Sequence, residues 1–237
     1  MATMTLDELV TQLRAAYGDD LHSVVLYGSA AAGEHIPKRS DYNVLVIAKS
    51  LSAEKLRAAA AVGAAWSASG SPPPMTLTLE EWRASSDIFA MEYADILERH
   101  KVLYGEAPFG GVTVSRGDLR LQVEREAMGK LLQFRQGVLA AGNDGRRQIE
   151  LLEASLSTMM VVFRGAARVA GDDPPLDNEA LVASIAAKAG FDATPFTRVV
   201  RHVRGGEKLN ARDVAAVIDG YLNGLQRVVS YVDRIVV

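Results

Sequence analysis

The stretch that decides the fold runs from VVLYGS at residues 24–29, through an eleven-residue spacer, to DYNVLV at residues 41–46. The first run is apolar and ends in Gly28 and Ser29, which predicts a buried strand that delivers the chain to a tight turn. Glycine lets a backbone approach a phosphate closely, and serine adds a hydroxyl donor. The second run predicts another strand. We therefore expect two strands and a turn that could hold a phosphate.

The second run also carries two polar residues at a spacing that matters for metal binding. Asp41 and Asn43 lie two residues apart, so on a strand both side chains lie on the same face. Two carboxylates at such positions would hold Mg²⁺ against a triphosphate for in-line phosphoryl displacement. Lys38, in the spacer, could contact phosphate oxygens. We take Gly28, Ser29, Lys38 and Asn43 as candidate nucleotide-binding residues and Asp41 as the candidate metal ligand.

The remaining pattern predicts an α/β half followed by an all-helical half. Residues 52–66 predict a helix and residues 75–79 a third strand, so strands and helices are interspersed in the first half. From about residue 115 the apolar residues recur at helical spacing only, which predicts a bundle of about five helices. A segment with glycine and proline at 105–111 is the expected boundary, so we predict domains at 1–110 and 111–237.

Residues 24–47 resemble the nucleotidyltransferase superfamily that includes DNA polymerase β and the aminoglycoside nucleotidyltransferases. The family pattern is an apolar residue, Gly, then Gly or Ser, a spacer of about this length, and two acids two residues apart between apolar residues. Gly28, Ser29 and Asp41 match it. The resemblance implies a small mixed sheet in an α/β (α+β) domain, often followed by helices. It also implies an NTP and Mg²⁺ as possible ligands.

This sequence departs from the family pattern at the acids. The second metal-binding carboxylate falls on Asn43, whose neutral carbonyl oxygen binds Mg²⁺ far more weakly. Relatives place a third carboxylate on a later strand, and the simplest alignment puts Thr76 there, a poor base. An alternative alignment makes residues 89–96 the third strand and gives the role of catalytic base to Glu92. We prefer Thr76, because that alignment needs no insertion.

Composition narrows the classes of function. A formal net charge of −3 gives no bulk signal for nucleic-acid binding. The absence of cysteine excludes disulfides and cysteine-ligated zinc. No apolar run approaches the ~20 residues that cross a bilayer, and the N-terminus has acidic residues where a signal peptide would be basic. We therefore expect a cytoplasmic protein without a membrane partner.

Two hypotheses of function follow. The favoured one is a catalytically impaired homologue, a pseudoenzyme that binds a nucleotide or a partner. The alternative is an active Mg²⁺-dependent nucleotidyltransferase that moves a nucleoside monophosphate from an NTP to a hydroxyl acceptor. In that enzyme Gly28 and Ser29 would hold phosphates, Asp41 would bind Mg²⁺, and Glu92 would be the base. The helical half could in addition form a homodimer through its amphipathic helices.

Overall fold

The computed structural model describes residues 4–33 and 41–237. It divides the chain into two compact units, Met1–Val114 and Ser115–Val237, which we describe separately. The first contains a small mixed sheet with helices and the second is helical throughout its regular structure. The predicted fold class, an α/β domain followed by a helical bundle, is confirmed.

The first unit alternates helices and strands along the chain. Its elements, in chain order, are α1 (Leu6–Tyr17), β1 (Leu21–Tyr27), β2 (Asn43–Ala48), α2 (Ala53–Ala68), β3 (Met75–Thr78), α3 (Leu79–Ala84), α4 (Ala90–Glu98) and β4 (His100–Gly105). A capping box between Thr5 and Glu8 begins α1, as the sequence spacing predicts. Ser52 caps α2 by accepting a hydrogen bond from the Lys55 amide.

The four strands form one sheet in the order β3-β2-β1-β4. Strand β1 is antiparallel to both β2 and β4, whereas β2 and β3 are parallel. Parallel neighbours need a crossover connection, and α2 provides it. The two strands predicted from residues 24–46 are therefore direct neighbours at the centre of the sheet.

The two faces of the sheet pack against different helices. On one face, Val44 and Val46 join α1 and α2 residues such as Leu9 and Trp66 in one core cluster. On the other face, Leu45 and Ile47 pack with Trp82 of α3 and Tyr93 of α4. Side chains alternate between the faces along each strand, so the position of a residue in β2 tells which helices it faces.

The segment at residues 89–96 is a helix and not a strand, which corrects the alternative alignment. Helix α4 buries Ala90, Met91, Tyr93, Ala94 and Ile96. The Tyr93 ring stacks on Trp82 with ring centroids 4.0 Å apart, and its hydroxyl donates to the Trp82 carbonyl at 2.7 Å. Buried positions one, three and four apart fit a helical face, whereas a strand would bury alternate residues.

The second unit contains five α-helices among its described residues. They are α5 (Arg116–Ala141), α6 (Gly145–Val169), α7 (Asn178–Ala189), α8 (Thr194–Arg204) and α9 (Val214–Asp233). An aromatic group lies at its centre, where Phe196 and Tyr221 stack with ring centroids 3.9 Å apart. The buried Tyr221 hydroxyl accepts a hydrogen bond from Ser155 Oγ at 3.1 Å. No helix in the described part of the chain combines the length and apolar character that crossing a membrane requires.

Candidate active site

The turn after β1 is built around Gly28. Residues 28–30 form one short 3₁₀ turn, and Gly28 is buried with φ of +76°, a left-handed conformation that favours glycine. Its carbonyl oxygen accepts from the amides of Ala31 and Ala32 at 3.1 and 3.2 Å. Its own N–H donates to the Arg99 carbonyl oxygen at 3.0 Å. The Gly28 N–H is therefore already hydrogen-bonded within the first unit. Ser29 is the next residue of the turn.

Three elements of the first unit converge on Gly28. Asn43 begins β2 and pairs with Tyr27, the last residue of β1. A methyl group built on Gly28 would lie 3.4 Å from Asn43 Nδ2 and 3.6 Å from Asp95 Oδ2. The turn, the start of β2 and helix α4 thus meet at one place. Polar atoms, including a carboxylate, surround the predicted phosphate turn.

Asp95 was not among the candidate site residues. Its spacing to Glu92 fits one face of a helix, which by itself indicates only a charged surface. The structure instead places Asp95 against the turn, where it forms an ion pair with Arg99, one helical turn later. The Arg99 side chain is 10% exposed and that of Asp95 20% exposed. An aspartate and an arginine four residues apart are the signal that could have indicated this pair.

Helix α4 brings negative charge to the end of β1. Burial, followed by the negative charges of Glu92 and Asp95, raises the pKa of Tyr27 to about 12. Both acids are therefore close enough to Tyr27 to disfavour tyrosinate. Glu92 is partly buried. The structure places it on a helix beside the predicted site, in contrast to the strand position that the alternative alignment gave it.

Asp41 lies just before β2 and is exposed. The next residue, Tyr42, packs against Trp66 on the α1–α2 face, with ring centroids 6.1 Å apart. Because side chains alternate along an extended chain, Asp41 and Asn43 belong to the opposite face, the one that α4 covers. Lys38, the remaining candidate, lies outside the described residues.

The alignment that gave Thr76 the place of the third carboxylate is wrong. Thr76 pairs with Val46, whose side chain belongs to the α1–α2 cluster, and its hydroxyl donates to the Pro74 carbonyl oxygen at 3.1 Å. Asn43 faces the other side of the sheet. On β3, the residues that share the α4 face are Met75 and Leu77. Neither carries a polar group, so on this face the nearby acids come from α4.

The donor set does not fit the two-metal site that the resemblance implies. Asp41 is one carboxylate, Asn43 is an amide, and Asp95 is paired with a guanidinium whose positive charge repels a metal ion. Within residues 4–33 and 41–237, no three His, Asp or Glu side chains come together as a group that could hold a metal ion. A single cation that arrives with a nucleotide requires fewer protein ligands.

Comparison with known structures shows a similar fold. The structure resembles that of spectinomycin adenyltransferase AAD(9) from Enterococcus faecialis, solved with ATP and spectinomycin, with a TM-score of 0.57. The similarity covers 94% of this chain and 100% of that chain, at 12% sequence identity. The chain has a nucleotidyltransferase fold. No protein-family model matches the sequence, and no curated protein matches it by sequence.

The fold of the first unit brings together the sequence features that first pointed to the site. In the first unit, the Gly28 turn and the start of β2 adjoin each other, and α4 covers the same face. At 12% identity the similarity shows the fold alone. The activity of this nucleotidyltransferase-fold protein therefore depends on the residues that it carries at the site.

Proposed function

We propose that the chain is a nucleotidyltransferase-fold protein that binds a nucleotide or a partner and is catalytically impaired. One observation carries the proposal: the residue beside Gly28 on β2 is Asn43, and the adjacent carboxylate, Asp95, is ion-paired with Arg99. An amide in place of a carboxylate removes one unit of negative charge from the metal site. Loss of a metal ligand costs charge stabilisation and positioning of the reacting groups.

Under this proposal a nucleotide binds through the turn and the start of β2. Ser29 and Lys38 contact its phosphates, and Gly28 leaves room for them because it has no side chain. Asp41 would hold a Mg²⁺ ion that accompanies the triphosphate, with Asn43 as a weak neutral ligand. The exposure of Asp41 leaves its carboxylate accessible to such a ligand.

Calorimetric titration with ATP, GTP, CTP and UTP, with and without Mg²⁺, tests the proposal of nucleotide binding. We expect at least one nucleotide to bind in a Mg²⁺-dependent manner and the Asp41→Ala variant to lose most of that binding. The Glu54→Ala variant is the matched control, because Glu54 is an exposed carboxylate in the first turn of α2. Lack of binding by all four nucleotides would contradict nucleotide binding and leave partner binding as the proposed role.

The Asn43→Asp variant tests the impairment itself. The change is isosteric and restores the second acid of the family pattern, so we expect tighter Mg²⁺-dependent nucleotide binding, by roughly tenfold, which corresponds to about 1.4 kcal/mol. Asn43→Ala is the control for loss of the amide. A wild-type protein that turns over nucleotide as fast as Asn43→Asp would show that the amide does not limit catalysis.

The alternative function, an active nucleotidyltransferase, draws support from α4. Glu92 belongs to α4, which packs on the face of the sheet that Asn43 shares, and its negative charge contributes to the raised pKa of Tyr27. As a base it would take the proton of an acceptor hydroxyl, whose oxygen attacks the α-phosphorus while pyrophosphate leaves. The structural neighbour was solved with ATP and spectinomycin, so aminocyclitols and aminoglycosides are the first acceptors to test.

Pyrophosphate release in the presence of each NTP and acceptor measures this activity. The enzyme hypothesis expects acceptor-dependent release that falls at least a hundredfold in Glu92→Gln, the typical contribution of a general base. Glu98→Gln, a change on the same helix, is the comparison variant. Release that is equal in Glu92→Gln and in the wild type would remove Glu92 from the mechanism.

A further inference from the structure

Helix α5 carries apolar residues on its outer face as well as on its buried face. The buried face consists of Leu119, Val123, Ala127, Leu131, Phe134 and Ala141, which pack inside the second unit. Four large apolar side chains point outward on the same helix. Leu121 is 67% exposed, Met128 43%, Leu132 49% and Leu139 83%. Large exposed apolar side chains that recur along one face of a helix are typical of an interaction surface.

The outward residues follow the spacing of a coiled-coil seam. Intervals of four and three residues alternate along six exposed positions, which we call the outer stripe: Leu121, Arg125, Met128, Leu132, Arg135 and Leu139. This is the a/d repeat through which one helix packs along another. The stripe extends over about 27 Å of the helix at 1.5 Å per residue.

The outer stripe is symmetric about its own midpoint. If a second α5 is laid antiparallel on the first, Leu121 lies opposite Leu139 of the second copy and Met128 opposite its Leu132. The two arginine positions also lie opposite each other. A two-fold symmetric contact requires a surface that is complementary to itself, with residue i on j and j on i. The stripe meets this condition at its four apolar positions, whereas Arg125 and Arg135 place like charges opposite each other.

The charges beside the stripe fit the same arrangement. In an antiparallel pair related by a two-fold axis, each flank of one helix meets the same flank of the other. Arg135, on the side of the stripe where Glu124 lies, is then next to Glu124 of the second copy as well as opposite its Arg125. In the single chain Glu124 pairs with Arg120 at 3.2 Å, so the second copy adds a second cation to a partly exposed carboxylate. Arg125, on the other flank, lies next to Gln136 of the second copy.

We propose that two copies of the chain associate through antiparallel contact of their α5 outer stripes. The contact lies on the second unit and is independent of nucleotide binding by the first. It buries the four exposed apolar side chains of each copy, and each interface contains the Arg135–Glu124 contact twice. Arg125 and Arg135 keep their charged ends at the edge of the contact, where water can solvate them.

Sedimentation equilibrium of the full chain over a wide range of concentration tests the association. The wild type is expected to dimerise, and Leu132→Glu to weaken dimerisation by roughly a hundredfold, because a carboxylate would be buried against Met128 of the second copy. Leu176→Glu is the matched control, since Leu176 is a similarly exposed leucine (55%) of the second unit off the stripe. Circular dichroism of each variant checks that the fold is kept.

Single-cysteine variants test the antiparallel direction, because the chain contains no cysteine of its own. When Leu121→Cys and Leu139→Cys are mixed and oxidised, the proposal expects disulfides between the two variants, identified from the masses of the linked peptides. Leu121→Cys alone should form few. A wild type that stays monomeric at every concentration, a dimer that Leu132→Glu leaves intact, or cross-links between identical positions would each overturn the proposal.

Discussion

The turn after β1 depends on a backbone angle that glycine tolerates. Gly28 has φ of +76°, and polar atoms of Asn43 and Asp95 lie 3.4 and 3.6 Å from the position of its missing Cβ. Gly33 has a similar φ of +80°, but no atom of the described residues lies within 4 Å of the position of its missing Cβ. The two glycines therefore separate the effect of backbone conformation from the effect of the surroundings.

We expect Gly28→Ala and Gly33→Ala each to lower the free energy of unfolding by about 1–2 kcal/mol, the cost of a left-handed conformation for an L-residue. Only Gly28→Ala should also weaken nucleotide binding, because its methyl group would enter the space between Asn43 and Asp95. Chemical denaturation and calorimetric titration measure the two effects. Equal loss of nucleotide binding in both variants would contradict a specific role of the Gly28 turn.

The Tyr27 hydroxyl reports on the charge of α4. In the folded chain its pKa is raised from 10.0 to about 12 by burial and then by Glu92 and Asp95. We expect Glu92→Gln to lower this pKa back towards 10, since one negative charge that opposes ionisation is removed. Absorbance titration of the tyrosines, with Tyr27→Phe to identify the signal, measures it. Glu54→Gln, on α2, should leave the titration of Tyr27 unchanged.

The same raised pKa makes stability depend on pH. Tyr27 stays protonated in the folded chain up to about pH 12, whereas in the unfolded chain it ionises near pH 10. Its contribution to the free energy of unfolding, on the order of 1 kcal/mol, is therefore fully present below pH 10 and is lost as the pH rises towards 12. Tyr93 contributes with the same sign over the same range.

Among the secondary-structure elements, α9 shows how closely helices pack in the second unit. A methyl group on Gly224 would lie 2.5 Å from Phe196 Cε2 and 3.0 Å from Phe191 Cδ2, and neither ring is a flexible chain end. We expect Gly224→Ala to destabilise the chain by about 1–3 kcal/mol through overpacking. Gly63→Ala, inside α2 where no atom of the described residues lies within 4 Å of an added Cβ, should stabilise the chain by about 0.5–1 kcal/mol. Thermal unfolding measures both, and stabilisation by Gly224→Ala would contradict the close packing.

The elements also show what the sequence could and could not predict. The apolar runs at residues 24–29 and 41–46 predicted β1 and β2, because a buried strand needs apolar side chains on both faces. The face of Thr76 could not be predicted, since it depends on the pairing register between β2 and β3, which the crossover through α2 sets. Residues 89–96 are a short apolar run of a kind that fits a strand or a helix equally well. Their packing against Trp82 decides for the helix.

The sequence could not predict that Asp95 belongs to the candidate site, because its position also depends on tertiary packing. Gly28 and Asn43 belong to one local motif, so their spacing was enough to place them in neighbouring positions. Asp95 is distant in sequence from both and reaches them only because α4 packs on that face of the sheet. The predicted roles of Asp41, Asn43 and Glu92 remain predictions until ligand binding is measured.

For the molecule as a whole, the division into two units predicts separate folding. The segment after β4 packs on the first unit: the Pro108 carbonyl accepts from Trp82 Nε1 at 2.8 Å, and Val112 is buried in the same cluster. We expect a fragment of residues 115–237 to fold cooperatively, as judged by circular dichroism and urea unfolding. A fragment of residues 111–237 should fold equally well, with the added residues unstructured. An unfolded 115–237 fragment would show that the second unit needs the first.

Asn43 also bears on how easily this protein could change its chemistry over generations. The codons for asparagine and aspartate differ by a single base, and the two side chains have the same shape. Strand β2 would therefore accept the acid without rearrangement of Val44 or Leu45, which are buried on either face of the sheet. One point mutation at Asn43 would therefore restore the paired acids of the family pattern, and the reverse mutation would remove them again.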